Sequence, residues 1–407
     1  MNSIKFYPAL SILIYFFTLS VILTSCKSLD KKAALIHNKA FTIDSHCDSP
    51  LVLMSEDFDI GKSHNAKETG TKYDIPRMEA GGLDASFFAA FVGQGNQDSI
   101  GLEKAFIQTN QIIDAVYKAI NAYPEKAEIA ITPEDGYRIE KIGKRSIYLG
   151  IENGYALADK IENINYFYKK GIRYITLVHT KNNHIADSST DTTLYNGLSK
   201  YGEEVVKEMN KLGIMIDVSH ASDSSFYDVI ALSKAPVIAS HSCSRALCDN
   251  PRNLSDEMLK ALTKNGGVIQ MCILSDYVKK MPSYPARDSA HAAFELKHSN
   301  WANYNEEQRK NGIKEWHQLD VLFPPNLANV TDVVDHIDHI VKVAGIDHVG
   351  IGTDFDGGGD VIGCYDVSEM GNITIELVKR GYTEEQIIKI WGGNLMRVFK
   401  EVEKNKN

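Results

Sequence analysis

Short, nearly uninterrupted apolar runs rich in β-branched and aromatic residues recur along the chain, each bounded by turn residues. They cover Phe41–His46, Ala85–Val92, Ser146–Ile151, Tyr174–His179, Ile214–Ser219, Pro236–Ser240, Gly267–Ile273 and His348–Thr353. Runs of this kind predict strands buried on both faces. Helical spacing fills most of the gaps, over Leu102–Ala122, Ile161–Lys170, Gly202–Lys211, Ser224–Leu232, Ser255–Thr263, Val330–Val343 and Ser368–Lys379, with Glu384–Val402 closing the chain. Eight buried strands alternating with helices predict an α/β fold of the (β/α)8 TIM-barrel type; an open doubly wound sheet is the competing architecture. The segment Ser275–Asn329, between the seventh and eighth strands, is too long for an ordinary connection and carries Trp301, Trp316 and the Pro324-Pro325 break. It reads as a helical insertion over the barrel mouth, either a lid or a peripheral elaboration.

The first residues follow a different pattern. Lys5 precedes an apolar stretch, Phe6–Leu23, that ends in Leu23-Thr24-Ser25-Cys26. This is similar to a bacterial lipoprotein signal, with residues 1–25 removed and Cys26 lipidated; an uncleaved membrane anchor is the alternative. Residues 26–39 then read as a polar tether, and 40–407 as a single barrel domain containing the 275–329 insertion. Either reading of the leader places the protein at a membrane, facing the periplasm or the cell exterior. A net charge of -9 and the lack of clustered Lys and Arg exclude nucleic acid as a partner and favour a small substrate. Apart from Cys26 there are five cysteines, an odd number with no C-x-x-C spacing, which argues against a zinc ribbon.

The candidate chemistry sits where the strands end. His46 and Asp48 stand two apart, so an extended backbone directs both to one side and Cys47 to the other. Glu152 closes the third strand, and a carboxylate with two oxygens can bridge two cations. His220 and His241 follow the fifth and sixth strands, neighbours in a closed barrel. Each residue alone is weak. Five metal-preferring side chains at the carboxyl ends of strands one, three, five and six point together to a metallohydrolase. His179, after the fourth strand, and Asp354, after the eighth, share that face and are free for substrate and proton work. His336 and His339 lack H-E-x-x-H spacing and read as a solvated helix face.

These residues resemble the membrane (renal-type) dipeptidase family, a branch of the metal-dependent amidohydrolases. The matching segments are IDSHCDSP, DIPRMEAGGLDASFFAAFV, GIENGYAL, RYITLVHTKNNHIAD, IMIDVSHAS, VIASHSCSRALCDNPRN, VGIGTDFDG and WGGNLMRV, in family order. The resemblance implies two zinc ions per chain, one held by His46 and Asp48, the other by His220 and His241, with Glu152 bridging. It also implies that His179 polarises the scissile carbonyl, that Asp354 receives the substrate amine and shuttles a proton, and that Arg252 binds the free carboxylate with help from Tyr277. The activity implied is hydrolysis of dipeptides with free termini by a metal-bridging hydroxide. A D-residue at the C-terminal side is a preference of many bacterial members, and the resemblance raises a homodimer as a partner. Alternatives are an amidohydrolase acting on a cyclic amide, β-lactam or N-acyl amino acid, and a lipoprotein that binds peptide or metal without turnover.

Overall fold

The computed structural model describes residues 28–55, 57–298, 304–358 and 360–406. All eight expected strands form: β1 (Ile43–Cys47), β2 (Ala85–Phe91), β3 (Arg145–Glu152), β4 (Ile172–Thr176), β5 (Met215–Asp217), β6 (Ile238–Ser242), β7 (Val268–Met271) and β8 (Val349–Ile351). They lie side by side in chain order, every pair parallel. Beyond β8 the chain returns to β1, where Cys47 pairs with Phe355 and the Asp354 amide donates to the His46 carbonyl at 3.0 Å. That contact closes the barrel, so the open doubly wound alternative does not apply.

Helices on the outside connect the strands: α1 (Ser99–Asn121), α2 (Pro133–Lys141), α3 (Glu162–Lys169), α4 (Lys200–Leu212), α5 (Asp223–Leu232), α6 (Asp256–Asn265) and α7 (Val330–Ala344). α2 is not among the helices expected from apolar spacing, although its start is marked by a capping box between Thr132 and Asp135 with Pro133 in the first turn. A short strand, Ala127–Ile129, pairs with β3 just before it. The closing helix is broken where one was expected: Glu384–Ile388 runs into a wider turn at Lys389–Gly393 and then α8 (Asn394–Lys404).

The break aims α8 at the barrel floor. Leu395, Met396, Phe399 and Val402 form one buried cluster with Ile43, Ala85, Met215, Ile238 and Val268, all at or near the first residues of their strands. With the amino end plugged by hydrocarbon, only the carboxyl end of the barrel is open for chemistry.

One expectation needs correction. Residues 28–37, assigned to a polar tether, are helical and docked, with Ala33 and Ile36 buried and the His37 ring edge-on to Trp391 at 4.8 Å. The expected signal segment and Cys26 lie outside the described residues, as does Trp301. The insertion is helical over Pro285–Lys297 and Glu306–Leu322, and its described part leans on the loops that follow β1 and β8: Arg309 donates to Ser55 at 2.8 Å, and a cavity of about 630 Å³ separates Phe294 and Trp316 from Lys72, Asp356 and Gly358.

Candidate metal centre and substrate pocket

His46 lies in β1, and a bulge between Asp44 and Cys47 shapes the strand's end. Its Nε2 is 3.9 Å from Asp48 Oδ1, 3.5 Å from Glu152 Oε2 and 3.9 Å from Asp354 Oδ1. Glu152 ends β3, as expected. Its other oxygen, Oε1, lies 3.2 Å from His220 Nε2, 3.4 Å from His241 Nε2 and 3.7 Å from His179 Nε2. One carboxylate thus addresses both halves of the cluster. His241 lies within β6, which starts two residues later than expected, and His220 sits in the loop after β5 with a left-handed φ of 68°. Such a backbone is unusual for a residue with a side chain and occurs where surroundings over-determine it.

The donor atoms fit divalent cations. Three groups have their ligand atoms within 4.8 Å of one another: His46, Asp48 and Glu152; Glu152, His220 and His241; and His46, His241 and Asp354. All six residues are buried, and His46 Nε2, Asp48 Oδ1 and His220 Nδ1 have no hydrogen-bond partner. Nε2 of His220 and Nε2 of His241 stand 2.9 Å apart. Burying carboxylates and imidazoles together without a counter-charge is costly, whereas oxygen and nitrogen donors at this density satisfy cations.

The electrostatics agree. Burial pulls the His46 pKa down, but Glu152, Asp48 and Asp354 overcome it and push it up to about 10, a measure of the negative potential at Nε2. Burial and then the neighbouring Glu152 raise Asp48. Burial acts to raise Glu152, yet His46, His179, His220 and His241 hold it well below the usual carboxylate range. The carboxylate between the imidazoles therefore stays ionised.

The remaining expected residues ring this centre. Arg252 is buried, donates from Nη2 to the His241 carbonyl at 3.0 Å and lies 5.1 Å over the Tyr277 ring, while its Nε has no partner. Burial pushes Tyr277 up to about 12, against the pull of Arg252. His179 is partly open, its ring tilted against those of Phe91 and His220 with centroids 4.7 and 4.2 Å away. Burial lowers its pKa despite Glu152, and Arg252 adds to the lowering. Asp354 also adopts a left-handed φ, 61°, and the Cys272 thiol donates to its Oδ2 at 3.7 Å.

Supporting residues went unseen in the sequence. The Tyr174 hydroxyl lies 2.7 Å from His46 Nδ1. Asp217 accepts from the Ser240 hydroxyl at 2.6 Å, and that oxygen lies 2.8 Å from His241 Nδ1, a relay that turns Nε2 toward the cluster. Asp44 accepts from the Thr353 hydroxyl and amide at 2.7 and 2.8 Å and from Tyr73 at 2.8 Å, joining β1 to the start of the Asp354 loop. The one available signal was period: Asp44 and Asp217 stand two and three residues before a ligand. His336 corrects an expectation. It is buried, not solvated.

Comparison with known proteins agrees with this geometry. The profile of the membrane dipeptidase family (Peptidase family M19) matches residues 30–407. Dipeptidase 3 of Rattus norvegicus is 32% identical over 373 residues, spanning 89% of this chain and 65% of its own length. The probable dipeptidase PvdM from Pseudomonas aeruginosa superposes with a TM-score of 0.79 at 30% identity, covering 93% of this chain and 99% of that one. A metallo peptidase from Rhodobacter sphaeroides, liganded with a phosphinate mimic of the dipeptide L-Ala-D-Ala, shares the fold with a TM-score of 0.70 at 21% identity, over 89% of this chain and 99% of that one. Barrel, donor cluster and profile converge: the chain belongs to the membrane dipeptidase family, Peptidase family M19.

Proposed function

We propose that this protein is a zinc-dependent dipeptidase acting on dipeptides with free amino and carboxyl termini. Two zinc ions, one at His46 and Asp48 and one at His220 and His241 with Glu152 between them, would supply Lewis acidity and an ionised water. The observation that carries the reading is the buried Arg252 guanidinium beside this cluster, with Nε unpaired. A guanidinium matches a carboxylate as a two-pronged charged hydrogen bond, which explains a demand for a free C-terminus.

The other residues divide the work. Burial favours a neutral His179 imidazole, able to donate a hydrogen bond to the carbonyl oxygen as it gains negative charge. Asp354, within 3.9 Å of His46 Nε2, accepts the substrate ammonium and, as the C–N bond breaks, returns a proton to the leaving nitrogen. Water's oxygen ends on the acyl carbon and its proton on the amine. No covalent enzyme intermediate is required.

The test compares a dipeptide with its C-terminal amide. Arg252→Ala lowers kcat/KM for the free dipeptide by about tenfold to a hundredfold, the scale of a charged hydrogen bond, and leaves the amide unchanged. Unaltered dipeptide turnover would refute carboxylate capture. Parallel assays of L,L and L,D pairs, with zinc stoichiometry on the same sample, decide stereochemistry and metal. Activity confined to cyclic amides, β-lactams or N-acyl amino acids would favour the broader amidohydrolase reading; a zinc-loaded sample inert toward all of them would favour a binding protein. The Leu23-Thr24-Ser25-Cys26 pattern further supports an exported lipoprotein. Cys26→Ser should then move the protein from the membrane to the soluble fraction, and an unchanged distribution would dismiss the lipid.

A further inference from the structure

We infer that His336 is a positioning residue that clamps together the two segments carrying Arg252 and Tyr277, and so sets the affinity for the substrate carboxylate. The inference rests on the reading of Arg252 as the carboxylate-binding group.

His336 sits on α7, three residues after Val333 and just before Ile337, within a buried stripe that includes Ile340. Its ring is buried and both nitrogens are used. The Ser244 amide donates to Nδ1 at 3.1 Å, so the ring proton lies on Nε2, which donates to the Val278 carbonyl at 2.8 Å. Only the neutral Nε2–H form makes both bonds, and burial favours that form by lowering the pKa.

The two anchor points are the roots of the carboxylate pocket. Ser244 pairs with Leu254, closing the neck of the loop that holds Arg252. Val278 directly follows Tyr277 at the end of a short helical turn, Ser275–Val278. A second link joins the same segments: Asn253 donates to the Tyr277 carbonyl at 2.8 Å and accepts from the Cys243 amide at 3.1 Å. Arg252 and the Tyr277 ring, 5.1 Å apart, are thus held face to face from behind. The His336 hydrogen bonds go to the backbones of Ser244 and Val278, not to Arg252, Tyr277 or the metal-binding side chains. Its effect passes through the two backbones that it joins.

The experiment uses the full chain with zinc and reads kcat, KM and zinc content for wild type, His336→Leu, His336→Gln and Arg252→Ala, on a free dipeptide and its C-terminal amide. Leu removes both hydrogen bonds; Gln can keep the one to Val278. The expected result for His336→Leu is KM for the free dipeptide raised about tenfold, the scale of one or two lost hydrogen bonds, with kcat within about twofold. Zinc content and amide turnover stay unchanged, and His336→Gln falls between. A folded His336→Leu with unchanged preference for the free dipeptide overturns the inference, as does equal loss on both substrates. Should Leu fail to fold, His336→Gln is judged on the same preference; if neither folds, His336 is a core residue and the inference is wrong. Arg252→Ala separates the two readings: a lost preference there with none lost at His336 rejects only the clamp, and no loss at Arg252 rejects the pocket itself.

Discussion

The Tyr174 hydroxyl stands 2.7 Å from Nδ1 of His46, deep in the barrel, and fixes the ring that offers Nε2 to the carboxylates of Asp48 and Glu152. Tyr174 reaches that place because residue 150 on the neighbouring strand is glycine: a Cβ there would overlap the phenol ring. Partners behind a metal-binding histidine commonly govern affinity by about tenfold to a hundredfold. Tyr174→Phe should weaken zinc binding on that scale while the fold persists, and Gly150→Ala should do the same by displacing the ring. Competition titration with a chelating dye measures both. Wild-type affinity in Tyr174→Phe would show that the phenol is only packing.

Glu152 offers one oxygen to His220 and His241 and the other to His46. Removing a ligand from one half and removing the bridge should therefore differ. On the proposed two-zinc reading, His220→Ala is expected to leave about one ion per chain and nearly abolish hydrolysis, whereas Glu152→Gln should weaken both ions together. Elemental analysis after dialysis gives the counts. The proper histidine control is His339, whose Nε2 lies 2.7 Å from Asp256 on the partly exposed side of α7. Equal zinc loss in His339→Ala and His220→Ala would discredit the assignment.

The barrel strands were readable because both faces of each are buried, leaving near-continuous apolar runs that end at the site residues. Strand ends were less readable, since tertiary contacts decide them: β5 is three residues long, and His220 leaves it on a left-handed backbone that no local pattern announces. Tyr174 looked like any aromatic strand former, because its role depends on a glycine 24 positions earlier in the chain, Gly150. His336 was misread for a physical reason. A histidine beside two aspartates resembles a wet helix face, yet its position in the Val333–Ile337–Ile340 stripe puts it inside, where backbone groups from two loops satisfy it.

Phe399 on α8 is buried and meets the rings of Tyr148 at 5.7 Å and Phe87 at 6.1 Å under the barrel floor. The Phe399 side chain carries no polar atom, so its truncation leaves a cavity rather than an unpaired polar group. Phe399→Ala should destabilise the fold by about 3–5 kcal/mol, the usual cost of a buried Phe-to-Ala change. Chemical denaturation measures it. If kcat, KM and zinc content of the folded fraction stay at wild-type values, floor and mouth act independently; a loss below about 1 kcal/mol would mean that α8 is a dispensable cover.

His37 gives the fold an acid-sensitive seam. Trp391 donates to the Thr374 hydroxyl oxygen at 2.7 Å, that hydroxyl lies 2.7 Å from His37 Nδ1, and His37 Nε2 lies 2.9 Å from the Gly81 carbonyl. The pattern suits a neutral ring that accepts from Thr374 and donates to Gly81. Burial lowers the His37 pKa below its ordinary 6.5, although Gly81 and Asp84 oppose the shift. The sign follows from proton counting. Below about 6.5 the unfolded chain binds the proton more readily than the folded one, so His37 contributes stability that is complete above that pH and lost as pH falls through the folded value. Thermal melts from pH 7.5 down to 5 should show declining stability, and His37→Gln, which cannot take up that proton, should flatten part of the decline while lowering stability at pH 7.5. An identical slope in wild type and His37→Gln would assign the acid loss to other buried groups and leave the docked 28–37 helix indifferent to pH.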